Sequence, residues 1–301
     1  MGPGDDAAVL AGGWVVSTDL SIENVHFRTE WLSHGDVGFR AAAAALSDLA
    51  AMAAEPVGVL VSLAVPDEPE RDALAIEVYA GAAEAAEASG AAVLGGDLTR
   101  SPGPWIVDVA VVGRAKPPVL RSGAAPGDAV WVTGTLGASA AAVRMWRAGH
   151  VPSDRLRAAF RRPTPRIPEA LWLRDRAGAR ALVDLSDGLA GDAGHVAAAS
   201  GVGIALDREA VPVARAAVEA LGSEEALDAA LRGGEDYELL VVVPPGALDE
   251  VRGAFHDTFG LAVTKVGRVV EKEGVWMDDP ASGELRALEA GGFDHFTPEG
   301  P

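Results

Sequence analysis

The sequence predicts an α/β or α+β protein built in two halves. Three observations carry that expectation. Its 301 residues suit about two domains. Strand-like apolar runs alternate with Ala-rich helical stretches in both halves. A Pro- and Gly-rich break separates the halves near residue 120.

Residues 14–19 (WVVSTD) form a strand ending in polar residues, and 37–54 an Ala-rich helix stopped by Glu55-Pro56. Residues 57–65 are a strand, 70–89 a helix closed by Gly90, and 91–95 and 105–114 two further strands. From Lys116 to Asp128 the chain holds Pro117, Pro118, Gly123, Pro126 and Gly127, the pattern of a linker. Beyond it come a strand at 129–133, a helix at 137–149, the Pro-rich 163–168 and a helix at about 168–180. A strand at 181–186 feeds a helix at 187–200, and 238–243 and 264–270 supply later strands. In each half a strand runs into an Asp-bearing loop beside a helix.

Composition narrows the function classes. Forty-four acids against 25 bases give a net charge of −19, which argues against a nucleic-acid partner, since such binding rests on Lys and Arg contacts to phosphate. The absence of cysteine removes disulfides, thiolate metal sites and cysteine nucleophiles, and fits a reducing compartment. No apolar run approaches the roughly 20 residues that span a bilayer. The start, MGPGDDAAVL, lacks the basic and apolar regions of a signal peptide. A cytoplasmic protein without a membrane partner is expected.

Six short segments share one chemistry: GDD (4–6), STD (17–19), SD (47–48), GGD (95–97), DLSD (184–187) and GGED (233–236). Glycine admits close backbone approach, and Asp supplies hard oxygen ligands suited to Mg²⁺. Any one of them is equally an ordinary turn or helix cap, and Ser186 and Asp187 have that option. Asp48 is different, because its helix is apolar nearly all round and Asp48 shares a face with Ala41, Ala44, Ala45 and Met52. An unpaired carboxylate there costs several kcal/mol or becomes neutral. A cation removes that cost; so does an arginine, Arg40 or a more distant one. There is no GxxxxGK[ST] loop and no protein-kinase motif set. An acidic chain can still hold polyphosphate if divalent ions bridge carboxylates to phosphate oxygens.

Read in order, GPGDDAAVL, VVSTDLSIENVHF, ALSDLAAMAAEP, VLGGDLTRSP, RSGAAPGDAVWVTGTLGASAAA, VDLSDGLAGDAGHVAAASGVG, GGEDYELLVVV and GGFDHF resemble thiamine-monophosphate kinases, within the superfamily of aminoimidazole ribonucleotide synthetase. The resemblance spans residues 2 to about 297, and SDLAAM, DLSDGL and GEDYEL in this order are specific together. It implies an N-terminal sheet-and-helix domain over 1–115 that forms a barrel in a homodimer, and a C-terminal α/β domain over 121–301 that completes the site. It implies ATP-dependent phosphorylation of thiamine monophosphate with several Mg²⁺ ions. By position, Asp6, Ser17, Thr18, Asp19, Asp48, Asp97, Asp184 and Asp187 match the family's Mg²⁺ ligands. Gly96, Asp97, Arg121 and Ser186 match ATP contacts, and His26, Glu235 and Phe293 match substrate contacts.

Departures are modest. Relatives usually carry a helix ahead of GDD, whereas here that motif begins at residue 4; Leu20 stands for the usual Thr, Ala53 for Gly, and Phe293 for Tyr or Trp. The alternatives are another ATP-using member of the superfamily or a non-catalytic thiamine- or nucleotide-binding protein. Selenophosphate synthetase would need a reactive Cys or selenocysteine near an N-terminal Lys, but this chain has no Cys and its first Lys is Lys116. GEDYEL and DHF argue against both aminoimidazole ribonucleotide synthetase and selenophosphate synthetase, and the full set of acids argues against a binding protein.

Overall fold

The computed structural model describes residues 4–278 and 284–288. The first half is a five-stranded sheet of β1 (Ala8–Leu10), β2 (Trp14–Ile22), β3 (Glu55–Val65), β4 (Ala92–Arg100) and β5 (Ile106–Arg114), ordered β1-β2-β5-β3-β4. Only β3 and β4 run parallel, joined through a crossover helix. Two long helices, α1 (His34–Ala51) and α2 (Arg71–Ala88), cover one face of the sheet. Val107, Val109 and Val111 of β5 and Val59, Val61, Leu63 and Val65 of β3 point to that face and are buried, as the period of two requires.

Ser33 caps α1, its hydroxyl accepting from the Asp36 amide at 3.2 Å. The two helices approach so closely that a Cβ on Gly38 would lie 1.8 Å from the Val78 carbonyl oxygen, and one on Gly81 would lie 1.8 Å from that of Gly35. Glycine mid-helix costs about 1 kcal/mol; here close contact between backbones is what it permits. Leu46 and Leu49 are fully buried, each contributing roughly 1.5–3 kcal/mol by leaving water.

The second half is a seven-stranded sheet of β6 (Ala129–Thr133), β7 (Ala181–Asp184), β8 (Gly203–Asp207), β9 (Leu239–Val243), β10 (Val263–Val270), β11 (Gly274–Asp278) and β12 (Leu285–Ala287), ordered β12-β11-β8-β10-β6-β9-β7. Its helices are α3 (Ala138–Arg147), α4 (Asp154–Arg161), α5 (Ile167–Ala177), α6 (Leu189–Ser200), α7 (Arg215–Leu221), α8 (Ser223–Arg232) and α9 (Ala247–Phe259). Only β8 and β11 pair in parallel. Alternating strands and helices therefore give mostly antiparallel sheets, which is the α+β form of the expected class.

Most expected elements are present. The strand expected at 91–95 continues to Arg100, straight through Gly95, Gly96 and Asp97. Gly96 tolerates this because it lies against β3, where a Cβ would sit 1.7 Å from the Val61 carbonyl oxygen. Helices α4, α7, α8 and α9 and strands β1, β8, β11 and β12 were not foreseen; they are short or charge-rich, and tertiary packing stabilises what local pattern leaves open.

For function the decisive placement is that of α1. It packs on β2 and β5 of its own sheet and also touches β7 and α5 of the other half. Its C-terminal turns are thus held where β7 ends.

Candidate active site

A cleft of 460 Å³ runs between the halves. Its acidic end gathers residues far apart in the chain. One carboxylate oxygen each from Asp6, before β1, Asp48, on α1, and Asp184, ending β7, lie within 4.8 Å of one another. Asp48 is the one residue from Arg40 to Ala54 that is not buried. The Ser17 hydroxyl on β2 donates to Asp48 Oδ2 at 2.5 Å. Asp19, two residues on and so on the same face of the strand, also lines the cleft, close enough to act electrostatically on Asp48 and Asp184.

Like charges collected in a dry place resist ionisation. Burial first, then Asp184, push Asp48 well above the usual carboxylate range. Burial first, then Asp6, push Asp184 up to about 7. Neither forms an ion pair with an arginine among the described residues, although the Arg121 charge acts on Asp184 from beside Asp6; Arg40, the nearest sequence candidate for Asp48, pairs with Glu235 instead. Asp6 alone is bridged, with Arg121 Nη2 at 2.6 Å and Nε at 3.0 Å from its two oxygens. Burial lowers the Arg121 pKa, but the Asp6 hydrogen bond and the charges of Asp6, Asp184 and Asp192 together outweigh it and the net shift is upward. Hard carboxylate oxygens, two of the three without an arginine partner, form the donor set of a hard divalent cation, so the residues fit Mg²⁺.

The neighbouring loop carries Ser186 and Asp187, both lining the cleft. Asp187, Asp192 and His195 form a second group whose ligand atoms lie within 4.8 Å. Asp192 accepts from the Asp187 amide at 3.1 Å, and burial, then Asp187, raise its pKa well above normal.

The Glu235 loop is fastened to that loop by its backbone. The Glu235 amide donates to the Ser186 carbonyl at 2.9 Å, and the Tyr237 amide to that of Leu185 at 2.9 Å. Glu235 and Tyr237 both have positive φ, 65° and 51°, a conformation that non-glycine residues hold only when the surroundings fix it. The Glu235 carboxylate pairs with Arg40 and accepts from the Tyr237 hydroxyl at 3.1 Å. Arg40 is buried, donates to the Phe160 carbonyl at 2.7 Å and lies over the Phe160 ring, 3.9 Å from its centroid. Arg40, Ala44 and Asp48 all line the cleft at helical spacing, so one face of α1 forms its floor.

His26 lines the cleft, and its Nδ1 accepts from the Ile22 amide at 3.0 Å. A neutral ring with that bond carries its proton on Nε2. Thr18 also lines the cleft, but its hydroxyl donates to Asp108 Oδ1 at 2.7 Å. The remaining expected residues are elsewhere. Gly96 and Asp97 line a separate groove of 690 Å³ with Ile76 and Tyr79 of α2. Asp97 pairs with Ser62, Ser62 with Asp108 and Asp108 with Leu20, which puts Asp97 three strands, about 14 Å, from β2. Phe293 lies outside the described residues.

Arg40, Asp192 and Tyr237 were missed as site residues. The i, i+4, i+8 spacing of Arg40, Ala44 and Asp48 was a usable signal for the first. For the other two the signal was only their nearness to DLSD and within GGEDYEL.

Residues 4–115 match the family model of AIR synthase related protein, N-terminal domain, and 125–278 that of the C-terminal domain. A thiamine-monophosphate kinase of Rhodopirellula baltica is 37% identical over 92% of this chain and 85% of its own length. That of Escherichia coli K12 is 36% identical over 99% of this chain and 92% of its own. Among solved structures, AaThiL complexed with AMPPCP and TMP superposes with a TM-score of 0.85 at 32% identity, covering 97% of this chain and 91% of that one. HypE of E. coli, a hydrogenase maturation protein, shares the fold with a TM-score of 0.75 at 25% identity, over 92% and 85% of the two chains.

Proposed function

We propose that this chain, which belongs to the thiamine-monophosphate kinase family, transfers the γ-phosphoryl group of ATP to thiamine monophosphate, giving thiamine diphosphate. The observation that carries this reading is the meeting of Asp6, Asp48 and Asp184, from both halves, in a cleft where two of the three have no arginine.

The acceptor needs no strong base. A phosphate monoester has a second pKa of about 6, so its oxygen is already an ionised nucleophile near neutrality. What remains is positioning and charge stabilisation in an in-line transfer. In this reading Asp6, Ser17, Thr18, Asp19, Asp48, Asp97, Asp184 and Asp187 hold Mg²⁺. When bound, those ions neutralise the two anionic partners and the transferring phosphoryl group. Gly96, Asp97, Arg121 and Ser186 hold the nucleotide. His26 donates from Nε2 toward the substrate phosphate, Glu235 faces the thiamine, and Phe293 is assigned to the same substrate by its place in the sequence. Arg40 keeps Glu235 aimed: the guanidinium and the Tyr237 hydroxyl leave its carboxylate one orientation.

The domain division at 1–115 and 121–301 belongs to the same reading, as does a homodimer. The face of the first sheet opposite α1 and α2 carries Trp14, Leu20 and Leu60, exposed by 37%, 47% and 37%. A second copy on that face would bury these side chains and bring its own β4, with Asp97, toward β2. The cytoplasm suits a chain without cysteine.

The direct test is ATP consumption with thiamine monophosphate, with and without Mg²⁺, and chromatographic detection of thiamine diphosphate. Turnover with an aminoimidazole precursor or selenide instead would defeat the reading.

Two smaller outcomes are expected. First, protons compete with the cation. Asp184 titrates at about 7 without metal, so below that pH it must lose a proton to bind. Mg²⁺ affinity should rise from pH 6 to 8, and calorimetry in buffers of different ionisation enthalpy should register proton release. A flat profile would remove Asp184 from the ligand set. Second, Arg40→Met should raise KM for thiamine monophosphate by roughly tenfold, the worth of a charged hydrogen bond, with kcat little changed. Arg40→Lys should recover part of the loss. Steady-state kinetics showing an equal drop in kcat would assign Arg40 to the transfer step instead.

A further inference from the structure

The cleft gathers acids at one end, and Arg28, Arg144, Arg147 and Arg232 also contribute to its lining. Two of these are already committed. Arg144 lies 2.7 Å from Asp228, and Arg232 lies 3.5 Å from the same carboxylate. Arg28 and Arg147 make no ion pair with any described residue. In a chain with 44 acids and 25 bases, two cleft arginines left without a counter-charge call for a reason.

They are also close enough to repel each other, and Arg28 is held in place. Burial, then the charge of Arg28, lowers the Arg147 pKa. Arg28 lies over the Trp31 ring, 4.9 Å from its centroid. Trp31 stacks on Trp146, the residue before Arg147, at 5.1 Å and 7°. Trp146 meets Phe160 edge-on at 5.5 Å, and Phe160 carries the Arg40 guanidinium. One wall of the cleft is therefore backed by a ladder of rings with the Arg28 guanidinium at one end and that of Arg40 at the other. A cation fixed on an aromatic face has already lost much of its rotamer freedom, so an anion pays less to bind it.

We propose that Arg28 and Arg147 are the receptor for the phosphate monoester dianion of the acceptor substrate, and that they select the phosphorylated compound over the free alcohol. The inference rests on the reading that the cleft phosphorylates thiamine monophosphate. Guanidinium suits this task because its planar fork matches phosphate oxygens two at a time. The arrangement sorts the substrate's charges: the phosphate between the arginines and the acidic, cation-binding end, the cationic ring toward Glu235. Unphosphorylated thiamine carries the ring but no dianion, and gains nothing from Arg28 and Arg147.

The test compares Arg28→Met and Arg147→Met, singly and together, with Arg215→Met, the same charge change at an exposed position of α7 paired to Glu219. KM for thiamine monophosphate and the inhibition constant of unphosphorylated thiamine are measured for each. Each single change should raise KM roughly tenfold and the pair roughly a hundredfold, with the thiamine constant within about twofold of wild type. Arg28→Lys and Arg147→Lys, which keep charge but lose the fork, should fall between and stand in for any Met variant that fails to fold. Equal weakening of both ligands, or no change in KM, overturns the proposal. Should the wild-type protein not turn over thiamine monophosphate at all, the function reading fails first. Calorimetric titration with the two ligands then decides the anion site alone: wild type binding the phosphorylated one no more tightly than thiamine rejects it.

Discussion

Asp48→Asn should lower kcat by about a hundred- to a thousandfold while leaving the protein folded, and in chelator at pH 8 more stable than wild type. The magnitude is that of removing one preorganised electrostatic contact to the transition state. Asn has the shape of Asp but offers a neutral oxygen, so the loss is one of charge and not of packing. The stability gain follows from the sign of the shift. Asp48 titrates well above its unfolded value, because burial and Asp184 oppose its charge. The stability linked to its protonated form is whole below the unfolded pKa and is lost as pH rises through the folded one. Asn never ionises and so never incurs that loss. Thermal melting in EDTA at pH 5.5 and 8, beside steady-state assays with saturating Mg²⁺, measures both halves. Wild-type turnover in the variant would take Asp48 out of the mechanism.

The second large effect is expected from Leu60→Glu. Leu60 lies on β3, on the sheet face away from α1 and α2, and is 37% exposed. In an isolated chain such a change stays within about 0.5 kcal/mol. Beneath a second copy it would bury a carboxylate without a partner, a cost of several kcal/mol, enough to dissociate a dimer at micromolar concentration. Activity should fall with it by roughly a hundredfold, the worth of one lost ligand, because each cleft would lose the Asp97 of its partner. Light scattering on the eluting protein gives the mass, and assays over a range of protein concentration give the activity. A variant of unchanged mass and activity would show that this face is not the dimer contact. A fully active monomer would show instead that Asp97 does not reach the site from a second copy.

Much of the fold was legible because its signals are local. The Ala-rich run ending at Glu55-Pro56, the valine strands and the turn glycines each declare an element within a dozen residues. Helices α4, α7, α8 and α9 were not legible, since they are charge-rich or short and are stabilised by packing rather than by pattern. The reach of β4 through GGD was hidden as well, because Gly-Gly-Asp reads as a turn and only the close approach of β3 keeps it extended.

The candidate site divides along the same line. Sequence alone determined the chemistry: acids beside glycine, no cysteine, no lysine loop, and an Asp in a helix too apolar to keep it without a reason. Those facts are properties of short strings, and their order along the chain carried the family resemblance. Only the tertiary structure decided which acids meet. It set Asp6, Asp48 and Asp184 together, gave Arg121 to Asp6, and sent Arg40 to Glu235 rather than to Asp48. It also left Asp97 on the far edge of its sheet. Spacing in sequence says nothing of such pairings, because they are made by α1 wedged between two sheets, and that placement depends on packing summed over the whole core.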